Sequence, residues 1–170
     1  YTSDGGDTWT AATTTNVGAT HLYGVSMGDA NNGVAVGRVG KIIYTSDGGD
    51  TWTVPTTTNA VGQNIFGVSM GDANNGVVVL GGGGKIIHTS DGGDTWTDAT
   101  TTNVSGWTVV RGVSMSDANN GVAVGQSGTI VYTSDGGDTW TAATTTNVGT
   151  NYMNGVSMSD ANNGVAVGAT

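Results

Sequence analysis

The chain has 170 residues, no Cys, 31 Gly and a formal net charge of −9, with 13 Asp, no Glu and four cations, Arg38, Lys41, Lys85 and Arg111. That balance excludes a phosphate-binding stripe for nucleic acid and an anionic-membrane partner, and the missing thiols exclude disulfides and thiolate metal sites. The 29 Thr, 22 Val and 6 Ile, against two Leu and two Lys, exclude an all-α fold and speak against α/β.

Leu, Ile, Val and Phe together make up under a fifth of the chain, a range usually read as disordered. Fixed recurrence of the apolar residues overrides that reading. No apolar run is long enough for a membrane-spanning helix. The chain opens at Tyr1 without Met and without a signal peptide, which reads as a processed chain or an excised fragment.

The string T-S-D-G-G-D-T-W-T recurs at Thr2–Thr10, Thr45–Thr53, Thr89–Thr97 and Thr133–Thr141. A second block, G-V-S-M-(G/S)-D-A-N-N-G-V, starts at Gly24, Gly67, Gly112 and Gly155. These define one domain, 1–170, of four units at about 1–43, 44–87, 88–131 and 132–170. Each unit parses into four strands. Taking the first into the second, strand A runs over about Tyr23–Met27, and Asp29–Gly33 is a hairpin turn because Asn-Gly tolerates positive φ. Strand B is Val34–Val36. The loop Gly37–Gly40 leads to strand C, Lys41–Ser46, and the turn Asp47–Asp50 to strand D, Thr51–Thr57. Four strands per unit of about 44 residues match a β-propeller blade. The small residues of A and B and the Trp of D predict a wedge with strand A innermost.

T-S-D-G-G-D-T-W resembles the Asp-box, or BNR repeat, whose pattern is Ser or Thr, any, Asp, any, Gly, any, Thr, Trp. Asp4, Gly6 and Trp9 sit at its fixed positions, as do Asp47, Gly49, Trp52; Asp91, Gly93, Trp96; and Asp135, Gly137, Trp140. The fuller pattern is most similar to propellers of the photosystem II assembly-factor type. The resemblance implies an all-β propeller of four-stranded antiparallel blades. It also implies that the box is a folding device: Asp accepts from turn amides, Gly supplies positive φ, and Trp fills the gap between sheets. Assembly factors of that type engage their partner through a basic patch, and the four cations here are scattered.

No catalytic set emerges. The pairs Asp4/Asp7, Asp47/Asp50, Asp91/Asp94 and Asp135/Asp138 repeat one environment four times, whereas acid–base pairs need environments that differ. The D-A-N-N-G turns lack the Glu of a calcium loop, sialidase chemistry lacks its Glu and third Arg, and Gly81–Lys85 is followed by Ile86-Ile87 rather than the Ser or Thr of a phosphate loop. Asn103-Val104-Ser105 is a lone glycosylation sequon. No cofactor and no metal site is expected.

Differences between units fall in the D–A connections and the B–C loops, which an up-and-down blade places on one face. That face holds Tyr23, Arg38, Phe66, Trp107, Arg111 and Tyr152, residue types suited to a sugar or a protein partner. The reading is a non-enzymatic binding or scaffold module at an extracellular or cell-surface site, taking a glycan or protein, with no nucleic acid and no membrane insertion. The alternatives are an architectural part of a larger surface assembly and a glycosidase-related propeller lacking its active site. Closure is expected as a monomeric four-blade ring with one blade split between the two ends. The alternative is a homodimer sharing an eight-blade ring.

Overall fold

The computed structural model describes residues 1–14, 17–60, 62–102 and 109–169. Residues 1–10 form a turn hairpin, followed by β1 (Thr13–Thr14). Blade I is β2 (Leu22–Met27), β3 (Gly33–Gly37) and β4 (Ile42–Thr45), with β5 (Thr51–Trp52) attached by an antiparallel Tyr44–Thr53 bridge. Blade II is β6 (Ile65–Met70), β7 (Gly76–Leu80), β8 (Ile86–Thr89) and β9 (Thr97–Asp98), in that order across the sheet. After β10 (Thr100–Thr102), blade III is β11 (Val110–Met115), β12 (Gly121–Gly125), β13 (Ile130–Thr133) and β14 (Thr139–Ala142). A half-blade, β15 (Met153–Met158) with β16 (Gly164–Gly168), ends the order. The fold is all-β and its blade sheets are antiparallel meanders.

The innermost strands β2, β6, β11 and β15 stand side by side. The Ser of each of the first three accepts from the next unit: Met70 N–H donates to Ser26 Oγ at 2.9 Å, Met115 N–H to Ser69 Oγ at 2.9 Å and Met158 N–H to Ser114 Oγ at 3.0 Å. The second strand of each blade is buried on both faces because alternate residues serve opposite seams. Val78 packs in the seam with blade I, while Val77 and Val79 pack in the seam with blade III. Trp96 and Trp140 close these two seams.

Strand D is shorter than expected. In blade I, Pro55 cannot donate to a ladder, and the ladder gives out after Thr53. The chain beyond the first three boxes instead crosses to the next blade and runs parallel to its outer strand: β1 beside β5, Thr57 bridged to Thr95, and β10 beside β14. Each unit thus straps its successor.

The expected joining of the two ends in one blade is not formed. Among the described residues β16 pairs with β15 alone, and residues 1–10 lean on blade I, Tyr1 Cβ standing 3.2 Å from where Gly49 would carry a Cβ. Trp9 is 72% exposed, with no blade packed on its outer side among the described residues.

Candidate functional site

The two ends of the blades are chemically distinct. At one end the A–B and C–D turns lock together, Gly48, Gly92 and Gly136 N–H donating to Asn31, Asn74 and Asn119 C=O at 2.8–2.9 Å. Within each A–B turn the Asp carboxylate collects its own loop: Asn31 and Asn32 N–H both reach Asp29 Oδ1 at 2.7 Å. In the box, Thr51 N–H donates to Asp47 Oδ1 at 2.9 Å and its hydroxyl to Oδ2 at 2.5 Å. Thr45 Oγ1 donates to Asp47 at 2.8 Å while accepting from Gly49 N–H at 3.0 Å, and Trp52 Nε1 donates to Gly49 C=O at 3.1 Å. Side-chain and backbone donors of Thr51, then Thr45, hold the Asp47 carboxyl down at about 2. At Asp91 and Asp135 burial opposes ionisation, but Thr95 and Thr139 outweigh it and both carboxyls stay below the usual range. These oxygens are consumed by their own turns, and among the described residues no cluster of acidic or His side chains could hold a metal ion.

The second Asp of the third and fourth boxes, which the sequence offered only as half of a carboxylate pair, faces the preceding unit across the seam. Asp94 accepts from the Tyr44 hydroxyl at 3.3 Å and from Thr56 Oγ1 at 2.6 Å, both in the preceding unit. His88 replaces that Tyr at the next seam, where its Nε2 lies 3.8 Å from Asp138. The signal was present as co-occurrence: Tyr1, Tyr44 and Tyr132 recur at one position and Asp50, Asp94 and Asp138 at another.

The opposite end carries the variation. Each innermost strand has a register shift one residue before its G-V-S-M block, between Leu22/Gly24, Ile65/Gly67, Val110/Gly112 and Met153/Gly155. Such a bulge re-aims the extra side chain. The four extra residues are Tyr23, Phe66, Arg111 and Asn154, all exposed and at equivalent places on adjoining strands. Phe66, Arg111 and Asn154 line one open hollow. Arg111 donates to Asn154 Oδ1 at 3.4 Å, and its guanidinium stands over the exposed Tyr152 ring, 5.6 Å from the centroid. Phe66 lies where a Cβ on Gly81 would be, 2.3 Å from its ring, so the glycine run makes room for it.

Of the residues expected on this face, Phe66, Arg111 and Tyr152 come together and Tyr23 takes the neighbouring bulge. Arg38 lines a separate hollow with His21 and Val39. Trp107 and the sequon at 103–105 lie outside the described residues. Asn154 was not singled out by sequence, although it is the residue before the last G-V-S-M block. Lys85 is engaged elsewhere, with Asp98 at 2.9 Å and Asn59 C=O at 2.9 Å.

A search of curated proteins finds no match. Among solved structures, YCF48 bound to D1 peptide superposes with a TM-score of 0.64 at 23% identity, over 79% of this chain and 42% of that one. YCF48 from Cyanidioschyzon merolae gives 0.60 at 24% identity, over 72% and 39%. An ancestral GH74 enzyme gives 0.55 at 16% identity, over 73% and 18%. These likenesses show the propeller fold, and the chain spans less than half the length of the two YCF48 structures. The family model described as photosynthesis system II assembly factor YCF48 matches residues 15–169, and the chain belongs to that family.

Proposed function

We propose that this chain is a non-enzymatic binding module that takes a peptide segment of a protein partner on its variable face. The observation that carries the reading is the row of bulges. In units otherwise nearly identical, the residue turned out at the head of each innermost strand differs four ways, as Tyr23, Phe66, Arg111 and Asn154. Repetition dictates the fold and leaves these positions to the ligand. Phe66 and Tyr152 offer aromatic surface, Arg111 can pair with a carboxylate, and Asn154 can bond a peptide group. The relative bound to D1 peptide supports a protein ligand over a glycan. In this reading Arg38 lies at the margin of the face, and the Asp boxes, with their oxygens turned inward on their own loops, are pins of the fold.

D1 peptide is the first probe. Calorimetric titration should give saturable binding that Arg111→Ala and Phe66→Ala each weaken by about tenfold or more, as truncation of an anchor does. Asn74→Ala, on the opposite end, should leave it unchanged. Binding insensitive to Arg111 and Phe66, or binding of a glycan in place of the peptide, would overturn the reading.

A further inference from the structure

Blade II has a blade packed on each side, and its B–C loop departs from the repeat in several ways at once. In blades I and III, Gly37 N–H closes the loop on Lys41 C=O and Gly125 N–H on Thr129 C=O. In blade II the same bond runs from Leu80 N–H to Lys85 C=O at 3.0 Å, so this loop is one residue longer. Leu80, fully buried, stands where the other units have Gly37, Gly125 and Gly168, and the four loop residues after it are all glycine. Gly81 N–H donates to Asn64 C=O at 2.8 Å, as Arg38 does to His21 and Gln126 to Val109, so residues 38, 81 and 126 are equivalent. The unit with these departures is the one whose bulge residue is Phe66.

Backbone conformation accounts for only part of the glycine run. Gly83 and Gly84 hold φ 65° and 64°, and Val39 and Ser127 take a matching left-handed conformation in the shorter loops. Gly81 and Gly82 are not left-handed, so their backbone does not require glycine. Side-chain room does. A Cβ on Gly81 would stand 2.3 Å from Phe66 Cε2 and 2.8 Å from Cζ, well inside van der Waals contact. On Gly82 it would stand 3.3 Å from Gln63 Oε1, a buried acceptor without a hydrogen-bond partner among the described residues. The ring edge rests against Gly81 while Phe66 stays 48% exposed. A bulge re-aims a side chain, and a support beneath it removes rotamer freedom that binding would otherwise have to remove.

We propose that Gly81 is a positioning residue: it seats the Phe66 ring and so fixes the aromatic wall of the hollow that Phe66 shares with Arg111 and Asn154. Its part in binding rests on the peptide reading above, whereas the seat itself does not. An alanine at 81 is enough to unseat the ring. The backbone there accepts it, and the atoms in its way are the far end of one side chain, so the ring moves and the fold does not.

Phe66 is the only Phe of the chain, so para-fluorophenylalanine labels a single site. In Gly81→Ala the one fluorine resonance should move, with the melting temperature close to that of the unaltered protein. A resonance unmoved by Gly81→Ala would overturn the proposal, whatever the peptide does. Titration with D1 peptide then separates positioning from a merely structural role. Gly81→Ala should weaken binding about tenfold when Phe66 is present and leave it unchanged in a Phe66→Ala background, because a residue that acts through the ring has no effect once the ring is gone. An equal loss in both backgrounds would overturn the proposal. No binding by the unaltered protein, with the resonance still moved by Gly81→Ala, would overturn the peptide reading and uphold the seat.

Discussion

Trp9, Trp52, Trp96 and Trp140 hold the same position in four nearly identical boxes, yet their surroundings grade from open to closed. Trp96 and Trp140 are sealed between blades, Trp52 is half-buried, and Trp9 is exposed. Truncation to Ala should follow that order. Trp96 and Trp140 should cost about 3–5 kcal/mol each, as buried aromatics do, and Trp9 no more than about 0.5 kcal/mol where the chain is monomeric. Denaturant melts of the four variants check this, and equal losses would contradict the seam assignment. The carboxylates set the acid limit. Hydrogen bonds lower the pKa at Asp4, Asp29, Asp47, Asp117 and Asp160, and at Asp72, Asp91 and Asp135 they do so against burial. A folded pKa below the unfolded value of about 3.9 adds stability that is complete above it. That stability is lost as pH falls toward the folded value, about 2 at Asp47. Thermal melts should therefore hold steady down to about pH 4 and drop steeply between about pH 4 and 2. A melting temperature flat through that window would mean the turns do not hold the carboxylates as described.

Elements of the blade were legible where one residue type recurs in phase and illegible where the partner belongs to another unit. The box turn follows from Gly-Gly, whose Gly48 and Gly49 hold φ 75° and 95°, and the innermost strand from its small residues. The A–B hairpin forms at Asn-Gly as expected but for another reason, since neither Asn32 nor Gly33 takes a positive φ and the turn is held by the Asp29 carboxylate accepting from Asn31 and Asn32 N–H. The parallel straps were not foreseeable, because Thr13–Thr14 and Thr100–Thr102 are exposed and show no hydrophobic period, and their partners lie a whole unit away. The bulges left a trace only in the changing residue before each G-V-S-M block. Two substitutions test this level. Val39 holds a left-handed conformation, φ 58°, in the turn after β3. Since a β-branched residue is costly there, Val39→Gly should stabilise by about 1 kcal/mol, read by denaturant melts, and a loss would show the turn to be unstrained. At the blade II–III seam His88 Nε2 is buried without a hydrogen-bond partner among the described residues. His88→Tyr should install the bond that Tyr44 makes to Asp94 and raise stability by about 1 kcal/mol, whereas a lower melting temperature would deny the equivalence of the seams.

The whole molecule separates invariance from variation by direction. One end is built of repeated turns whose polar groups satisfy one another. The other displays residues that the repeat does not dictate, and the strand polarity that separates them could be read from the meander alone. What could not be read was which variable residues meet. Phe66, Arg111 and Asn154 line one hollow because bulges on adjoining innermost strands bring three units together, with Tyr152 beside Arg111, while Arg38, on the same end, stands apart. Amide hydrogen exchange with and without D1 peptide tests the central claim most directly. Protection concentrated at residues 65–67, 110–112 and 152–155, with the turns at 29–33 and 72–76 unchanged, is the expected footprint. Protection confined to those turns, or none at saturating peptide, would contradict a binding site on the variable face.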